Sequence, residues 1–301
     1  MLREVQNLIA SGVEVEVVEY NNVSNEYTVQ RRRLQEICRV HQPGNTTLGT
    51  IKVIIEEFHP DAVHLHEFSE TFIQDEVANW LFRDDRPYRI IETTHGRHTA
   101  PEGKRYRPDA FAFVSRDQVQ QFAMLGVESR YVEYYLEKKT RPDRTQALEK
   151  LGLNPAKKHI LNVGLWTPGK NQGEAIEIAR LLPGYEFHFV GNQAGNFAEY
   201  WKPLMDIIPV NCRIWGERDD VDSFYSSMDL FLFTSRKELN PLVIKEAVAW
   251  QMPVLMHPIL PAGQDCDLIS FFDGCPGETA DLIDEILCPM AAPIKQLCSA
   301  R

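Results

Sequence analysis

A chain of 301 residues, 44% hydrophobic and 25% charged, is long enough for two α/β domains and has the composition of a globular protein rather than a disordered one. Its net charge of −11 disfavours nucleic acid as the main partner, and no run approaches the ~20 apolar residues of a transmembrane helix. The six cysteines (Cys38, Cys212, Cys266, Cys275, Cys288 and Cys298) are scattered without a CxxC pair, which reads as reduced thiols in the cytoplasm and excludes a disulfide framework or zinc knuckle.

The chain opens on MLREVQNLIA, a helix-like segment without the basic-then-apolar order of a signal peptide. A doubly wound domain ordinarily opens with a strand and a tight loop. Here the helix comes first, so the first strand is expected to be missing or replaced by another segment. Arg31-Arg32-Arg33, with Arg39 nearby, reads as a solvated helix face; contact with phosphates or, peripherally, with an anionic membrane is the sharper alternative. Strands are then expected at 12–21, 61–67, 88–96, 109–115 and, more weakly, 129–135.

A polar segment, 136–155, contains Pro142 and Pro155 and separates the halves. The boundary is expected between Tyr135 and Leu151 and is set at 140/141, giving domains 1–140 and 141–301. The second half repeats the pattern, with strands at 158–164, 185–192, 212–217, 229–235 and 252–256. Short apolar runs without alternation suit parallel strands buried on both faces. The intervening segments carry helical periodicity, as in Ala175, Ile178, Ala179 and Leu182. Two doubly wound, Rossmann-like parallel sheets follow. Near the end, 277–287 reads as a helix and 288–301 as irregular.

After the strand at 158–164 comes Gly164-Leu165-Trp166-Thr167-Pro168-Gly169-Lys170-Asn171, then a helix. Open α/β sheets bind ligands beyond the carboxyl ends of their strands, where a helix N-terminus favours an anion. Lys170 is placed there to neutralise a diphosphate. A surface lysine in an ordinary turn is the bland reading. The P-loop pattern GxxxxGK[ST] fails at Asn171, which has no hydroxyl for magnesium.

The strand at 229–235 leads into SRKELNPLVIKEAVAWQMPVL. Asn240 followed by Pro241 suggests an N-cap and a first helical proline, which puts Glu238 in the loop above the sheet edge. Glu246 falls on an apolar helix, where a carboxylate needs a partner; a ribose diol is one and a helix salt bridge is another.

Glu238 and Glu246 form E-x7-E after an apolar strand, inside ExNPLVIKEAVAxxxPVL. This resembles the donor site of family 4 glycosyltransferases, which have the two-domain GT-B fold and are retaining. The likeness runs from 160 to 255, including the VGN turn at 190–192 and Trp215-Gly216-Glu217, and extends more diffusely over the first half. It implies that Glu238 contacts the donor sugar, that Glu246 binds the ribose, and that Lys170 stabilises the departing diphosphate. Gly164, Gly191, Asn240, Pro241 and Leu242 would surround the donor. Two departures stand out: Leu165 occupies the position of an arginine that usually pairs with the lysine, and the glycine-rich loop that closes over the phosphates is not found.

HPDAVHLHE resembles the family's PDxxHxH(D/E) segment. The resemblance makes His66 the residue near the reacting sugar, with Glu67 beside it. His64 shares its strand face and reads as a satisfied core histidine. His95 and His98 lie in THGRH (94–98), an acceptor-side loop or a plain surface loop. Four histidines raise a metal reading, but HxH without a further ligand run is weak and no metal is expected.

The expected function is therefore retaining transfer of a sugar from a nucleotide-diphosphate donor, with UDP, GDP or ADP undecided, to a glycan, lipid or small-molecule acceptor. No cofactor is required. A degenerate, donor-binding module is the alternative, and a P-loop-like nucleotide hydrolase a weaker one. The absence of GxGxxG disfavours a dinucleotide oxidoreductase.

Overall fold

The computed structural model describes residues 2–20, 28–42, 47–66, 73–96, 100–134, 136–259 and 266–288. The chain divides into two compact units, 1–135 and 136–301, each with its own apolar core.

Unit 1 runs α1 (Leu2–Ala10), β1 (Glu16–Val18), α2 (Thr28–Gln35), β2 (Arg39–His41), α3 (Leu48–Phe58) and β3 (Ala62–His66). It continues α4 (Asp75–Leu81), β4 (Arg89–Thr94), β5 (Ala110–Phe113), α5 (Arg116–Phe122) and β6 (Glu128–Tyr131). Its strands form two parallel sheets, β1-β2 and β3-β4-β5-β6, and no described strand bridges β1 and β3. α1 packs Val5 against Val17 and Leu34. Phe111 and Phe113, alternate residues of β5, both meet Phe122 of α5, as a period of two on a half-covered strand requires. A buried ion pair, Lys104 Nζ to Glu92 Oε2 at 2.8 Å, ties the segment before β5 to β4; the two side chains are 0% and 2% exposed.

Two features here differ from expectation. β2 and, in unit 2, β12 (Ile269–Phe271) were not foreseen; each has only three residues and no continuous apolar run. Arg39 belongs to β2 rather than to a helix face, and Arg31 is not solvated, since its Nε donates to both oxygens of Glu19 at 2.9 and 3.0 Å.

Unit 2 runs α6 (Arg144–Lys150), β7 (His159–Val163), α7 (Gln172–Leu181), β8 (Glu186–Val190), α8 (Ala198–Asp206) and β9 (Cys212–Gly216). After these come α9 (Val221–Ser227), β10 (Leu230–Phe233), α10 (Leu242–Ala249), β11 (Val254–Met256), then β12 and α11 (Pro276–Leu287). One parallel sheet holds six strands in the order β12-β11-β10-β7-β8-β9. Alternate residues sort to its two faces. Ile160, Leu230, Leu232 and Leu255 join Ile176, Ile178 and Ile283 of α7 and α11. Leu161, Phe231, Phe233 and Met256 join Phe224, Tyr225 and Ile244 of α9 and α10. Helices on both faces explain why these strands read as unbroken apolar runs. The expected irregular tail, 289–301, lies outside the described residues.

Candidate functional site

In unit 2 the chain builds outward from β7 through β8 to β9, then returns to the other side of β7 to place β10, β11 and β12. The reversal between β7 and β10 is the topological switch point, where loops from neighbouring strands part toward opposite faces and leave a crevice at the carboxyl edge. The crevice is flanked by the loop 164–171 after β7 and the loop 234–241 after β10. Buried contacts lace the two together. Asn162 Nδ2 donates to Leu232 O at 2.9 Å, Thr234 Oγ1 to Lys170 O at 3.0 Å, and Arg236 N to Gly169 O at 3.3 Å.

Lys170 and Glu238, one from each loop, meet. Lys170 Nζ donates to Glu238 Oε1 at 2.5 Å, with the side chains 27% and 17% exposed. The Lys170 cation thus stands at the switch point beside a carboxylate, both reachable from solvent. The loop is not a phosphate-wrapping P-loop. The amides of Lys170 and Asn171 both donate to Thr167 O, so they close a turn instead of facing an anion. Asn171 holds φ 54°, a left-handed conformation that asparagine tolerates better than a hydroxyl residue. Its amide side chain donates to Glu174 Oε2 at 2.6 Å.

Gly191 serves packing. Its φ is 147°, and a Cβ there would lie 2.0 Å from Gly164 O. That close approach lets Gly164 N bond Val190 O and Trp166 N bond Asn192 O, which sets the start of the 164–171 loop. Leu165 is half-buried; its carbonyl accepts from Gln172 Nε2 at 3.0 Å. With Leu165 in the place of an arginine, a second cation would have to come from another residue, such as Arg218 or Arg236. Arg218 is held bidentately by Asp220 at 2.8 Å. Arg236 lies against the loop, its Nη2 donating to Glu174 Oε1 at 3.1 Å. Glu174 in turn meets His257 Nε2 at 2.9 Å. Sequence reasoning did not find the Glu174–His257 pair, although His257 directly follows the carboxyl end of β11 and that position was a usable signal.

Glu246 has a partner in Tyr225, whose hydroxyl donates to its Oε2 at 3.1 Å. Burial, then the charge and hydrogen bond of Glu246, push the Tyr225 phenol well above its ordinary range, so it stays a donor. The helix start differs by one residue from expectation: Pro241 occupies the N-cap of α10 and Leu242 is the first helical residue, leaving Asn240 outside. Pro241 has no side-chain donor or acceptor, so the cap carries no side-chain bond. Ser235 Oγ and Asn240 Nδ2 are buried without a hydrogen-bond partner among the described residues. Orphaned polar atoms are uncommon enough in folded proteins to mark a place that expects a polar ligand or water.

In unit 1, β3 ends in a histidine cluster. His66 Nδ1 bonds His95 Nε2 at 3.0 Å, and the rings stack. His64 bonds Thr93 Oγ1 through Nε2 at 2.8 Å and Glu4 through Nδ1 at 3.0 Å. His64 is partly exposed, so it is fully bonded without being a core residue. Burial, and then the neighbouring His64, lower His66 to about 4, which keeps it neutral near neutral pH. Glu4 was not anticipated: no local pattern connects α1 with β3. Glu67 and His98 lie outside the described residues.

Residues 143–263 match the family of glycosyl transferases group 1. The match covers most of unit 2, and the fold of the chain is the GT-B fold of known glycosyltransferases. Solved structures extend the likeness over nearly its whole length. HepE from Anabaena, in complex with UDP and glucose, is 17% identical with a TM-score of 0.70, covering 94% of this chain and 85% of that one. Sucrose-phosphate synthase from Thermosynechococcus elongatus is 15% identical, TM-score 0.69, covering 95% and 83%. A glycosyltransferase from Rickettsia africae ESF-5 is 15% identical, TM-score 0.67, with the same coverage. At these identities the likeness is one of fold. No curated protein sequence matches.

Proposed function

We propose that unit 2 binds a nucleotide-diphosphate sugar at the switch point and that the chain transfers the sugar to an acceptor with retention of configuration. The Lys170–Glu238 pair carries this reading, because it sets one cation and one acceptor side by side where the fold family binds ligands. The diphosphate takes Lys170. Negative charge grows on it as the glycosidic bond breaks, so the lysine contact strengthens in the transition state and lowers the barrier. Glu238, released from Lys170, accepts from sugar hydroxyls, and Glu246, held by Tyr225, takes the ribose diol. Gly164, Asn240, Pro241 and Leu242 line the phosphates, and Gly191 supports Gly164 from behind. Arg236, against the same loop, supplies the second cation that Leu165 does not.

In this reading His66, Glu67 and His95 belong to the acceptor side, and the His66 ring stays neutral near neutral pH. No metal is needed, since Lys170 and Arg236 meet the leaving group. HepE, a structural neighbour, is described with UDP and glucose, which supports a nucleotide-sugar donor here. Donor consumption followed by mass spectrometry tests the reading. Lys170→Ala and Glu238→Ala are each expected to lower transfer sharply, and unchanged turnover in both removes the mechanism. Leu165 favours a second reading, a module that binds donor without turnover. Binding by calorimetry with no product from any acceptor class would select it.

A further inference from the structure

We propose that Glu4, His64 and His66 bind a divalent transition-metal ion of the zinc class. His64 and His66, two apart on β3, project from one face, and α1 brings the Glu4 carboxylate to both. Glu4 Oε1 is 3.0 Å from His64 Nδ1, and Glu4 Oε2 is 3.3 Å from His66 Nε2. One ligand atom from each residue lies within 4.8 Å of the others. Zinc–nitrogen and zinc–oxygen bonds of about 2.0–2.1 Å put tetrahedral ligands about 3.3 Å apart, so the three side chains need little movement to close on an ion. Two histidines and one carboxylate also match zinc's preference for nitrogen and oxygen donors, and a fourth position stays open to solvent.

The remote ring nitrogens strengthen the assignment. A ligating imidazole is ordinarily oriented by a hydrogen bond from its other nitrogen. His64 meets Thr93 Oγ1 through Nε2 at 2.8 Å, and His66 meets His95 Nε2 through Nδ1 at 3.0 Å. Both supports come from β4 or the residue just after it, beside the strand that carries the ligands. The metal takes the place of the proton between each imidazole and the carboxylate.

A second cluster, His159, Glu186 and His188, meets the same distance test but not the chemistry. Trp215 Nε1 donates to His188 Nδ1 at 3.1 Å. His188 Nε2 must then donate to His159 Nδ1, and His159 Nε2 to Asn154 O, both at 2.9 Å. Every ring nitrogen there is committed, and the rings are fully buried. That cluster is a structural chain of neutral imidazoles.

The metal site does not rest on the proposed transfer reaction. Its test is a cobalt titration of the full chain, stripped by chelator and kept reduced. One Co2+ per chain is expected, with visible d–d bands, no thiolate charge-transfer band, and displacement by Zn2+. Glu4→Gln and His66→Asn should each weaken binding at least tenfold while the unfolding midpoint in chelator is kept. His95→Asn, which removes the support of the His66 nitrogen remote from the metal, should weaken it by about 10- to 100-fold. If His66→Asn does not fold, Glu4→Gln on the short α1 helix carries the comparison. Substoichiometric binding, a spectrum dominated by thiolates, or unchanged affinity in Glu4→Gln overturns the proposal.

Discussion

Glu238→Gln separates two roles that Glu238 holds at once. In the free protein its carboxylate occupies Lys170 at 2.5 Å, with both side chains partly buried. A charge-assisted bond of this kind is worth about 1.5–3 kcal/mol net, and partial exposure brings it toward the lower part of that range. A diphosphate that needs Lys170 must displace this partner and approach a nearby negative charge. Neutralising Glu238 removes both costs. Binding of a bare nucleoside diphosphate should therefore tighten by about 1–2 kcal/mol, roughly 5- to 30-fold. Lys170→Met should weaken the same binding by about 10- to 100-fold through loss of its charge-assisted contact. Sugar transfer should fall in both variants, because Glu238 also orients the sugar. Calorimetry with UDP, GDP and ADP, taking whichever binds best, reads the affinities at low and high salt. Weaker diphosphate binding in Glu238→Gln would refute the competition argument and make the glutamate a nucleotide ligand in its own right.

Three further outcomes follow from the structure. His188 is held down to about 3 by burial, then by the neighbouring His159, against an ordinary value of 6.5; the unfolded chain takes up that proton first as pH falls. The stabilisation is complete above pH 6.5 and declines toward pH 3, so urea unfolding of unit 2 should lose about 1 kcal/mol between pH 7 and 5.5, and no loss would contradict this. Lys104→Met leaves Glu92 charged and buried and should cost unit 1 about 3–5 kcal/mol, with much of it restored in Glu92→Leu/Lys104→Met; equal losses in single and double variants would argue against the ion pair. Gly191→Ala pushes a methyl against Gly164 O in a backbone region costly for alanine, so a midpoint drop equivalent to about 1–3 kcal/mol and weaker donor binding are expected, and a wild-type melt would show that the loop yields freely.

The legible parts of the fold were those governed by local pattern. Strands buried on both faces, such as Glu186–Val190 and Leu230–Phe233, announce themselves as apolar runs because every side chain must leave water. β2, with the sequence RVH on a partly exposed edge, carries no such signal. Lys170 and Glu238 were readable one at a time, each from its place after a strand, and the switch-point topology then brings them together. Their direct bond was not readable, since side-chain reach across two loops leaves no trace in spacing. Glu4 illustrates the same limit more sharply. It lies 60 residues from His64, on a separate element, and only tertiary packing makes it a neighbour of both histidines. The helix start at Asn240-Pro241 was misplaced by one residue because the proline itself takes the cap.

Calorimetry of the full chain against UDP-, GDP- and ADP-sugars addresses the donor site most directly. One of these donors should bind with one-to-one stoichiometry, and Lys170→Met should weaken it at least tenfold while leaving the unfolding midpoint in place. Absence of binding across the panel, or equal affinity in the Lys170→Met protein, would contradict a donor site at the β7–β10 switch point.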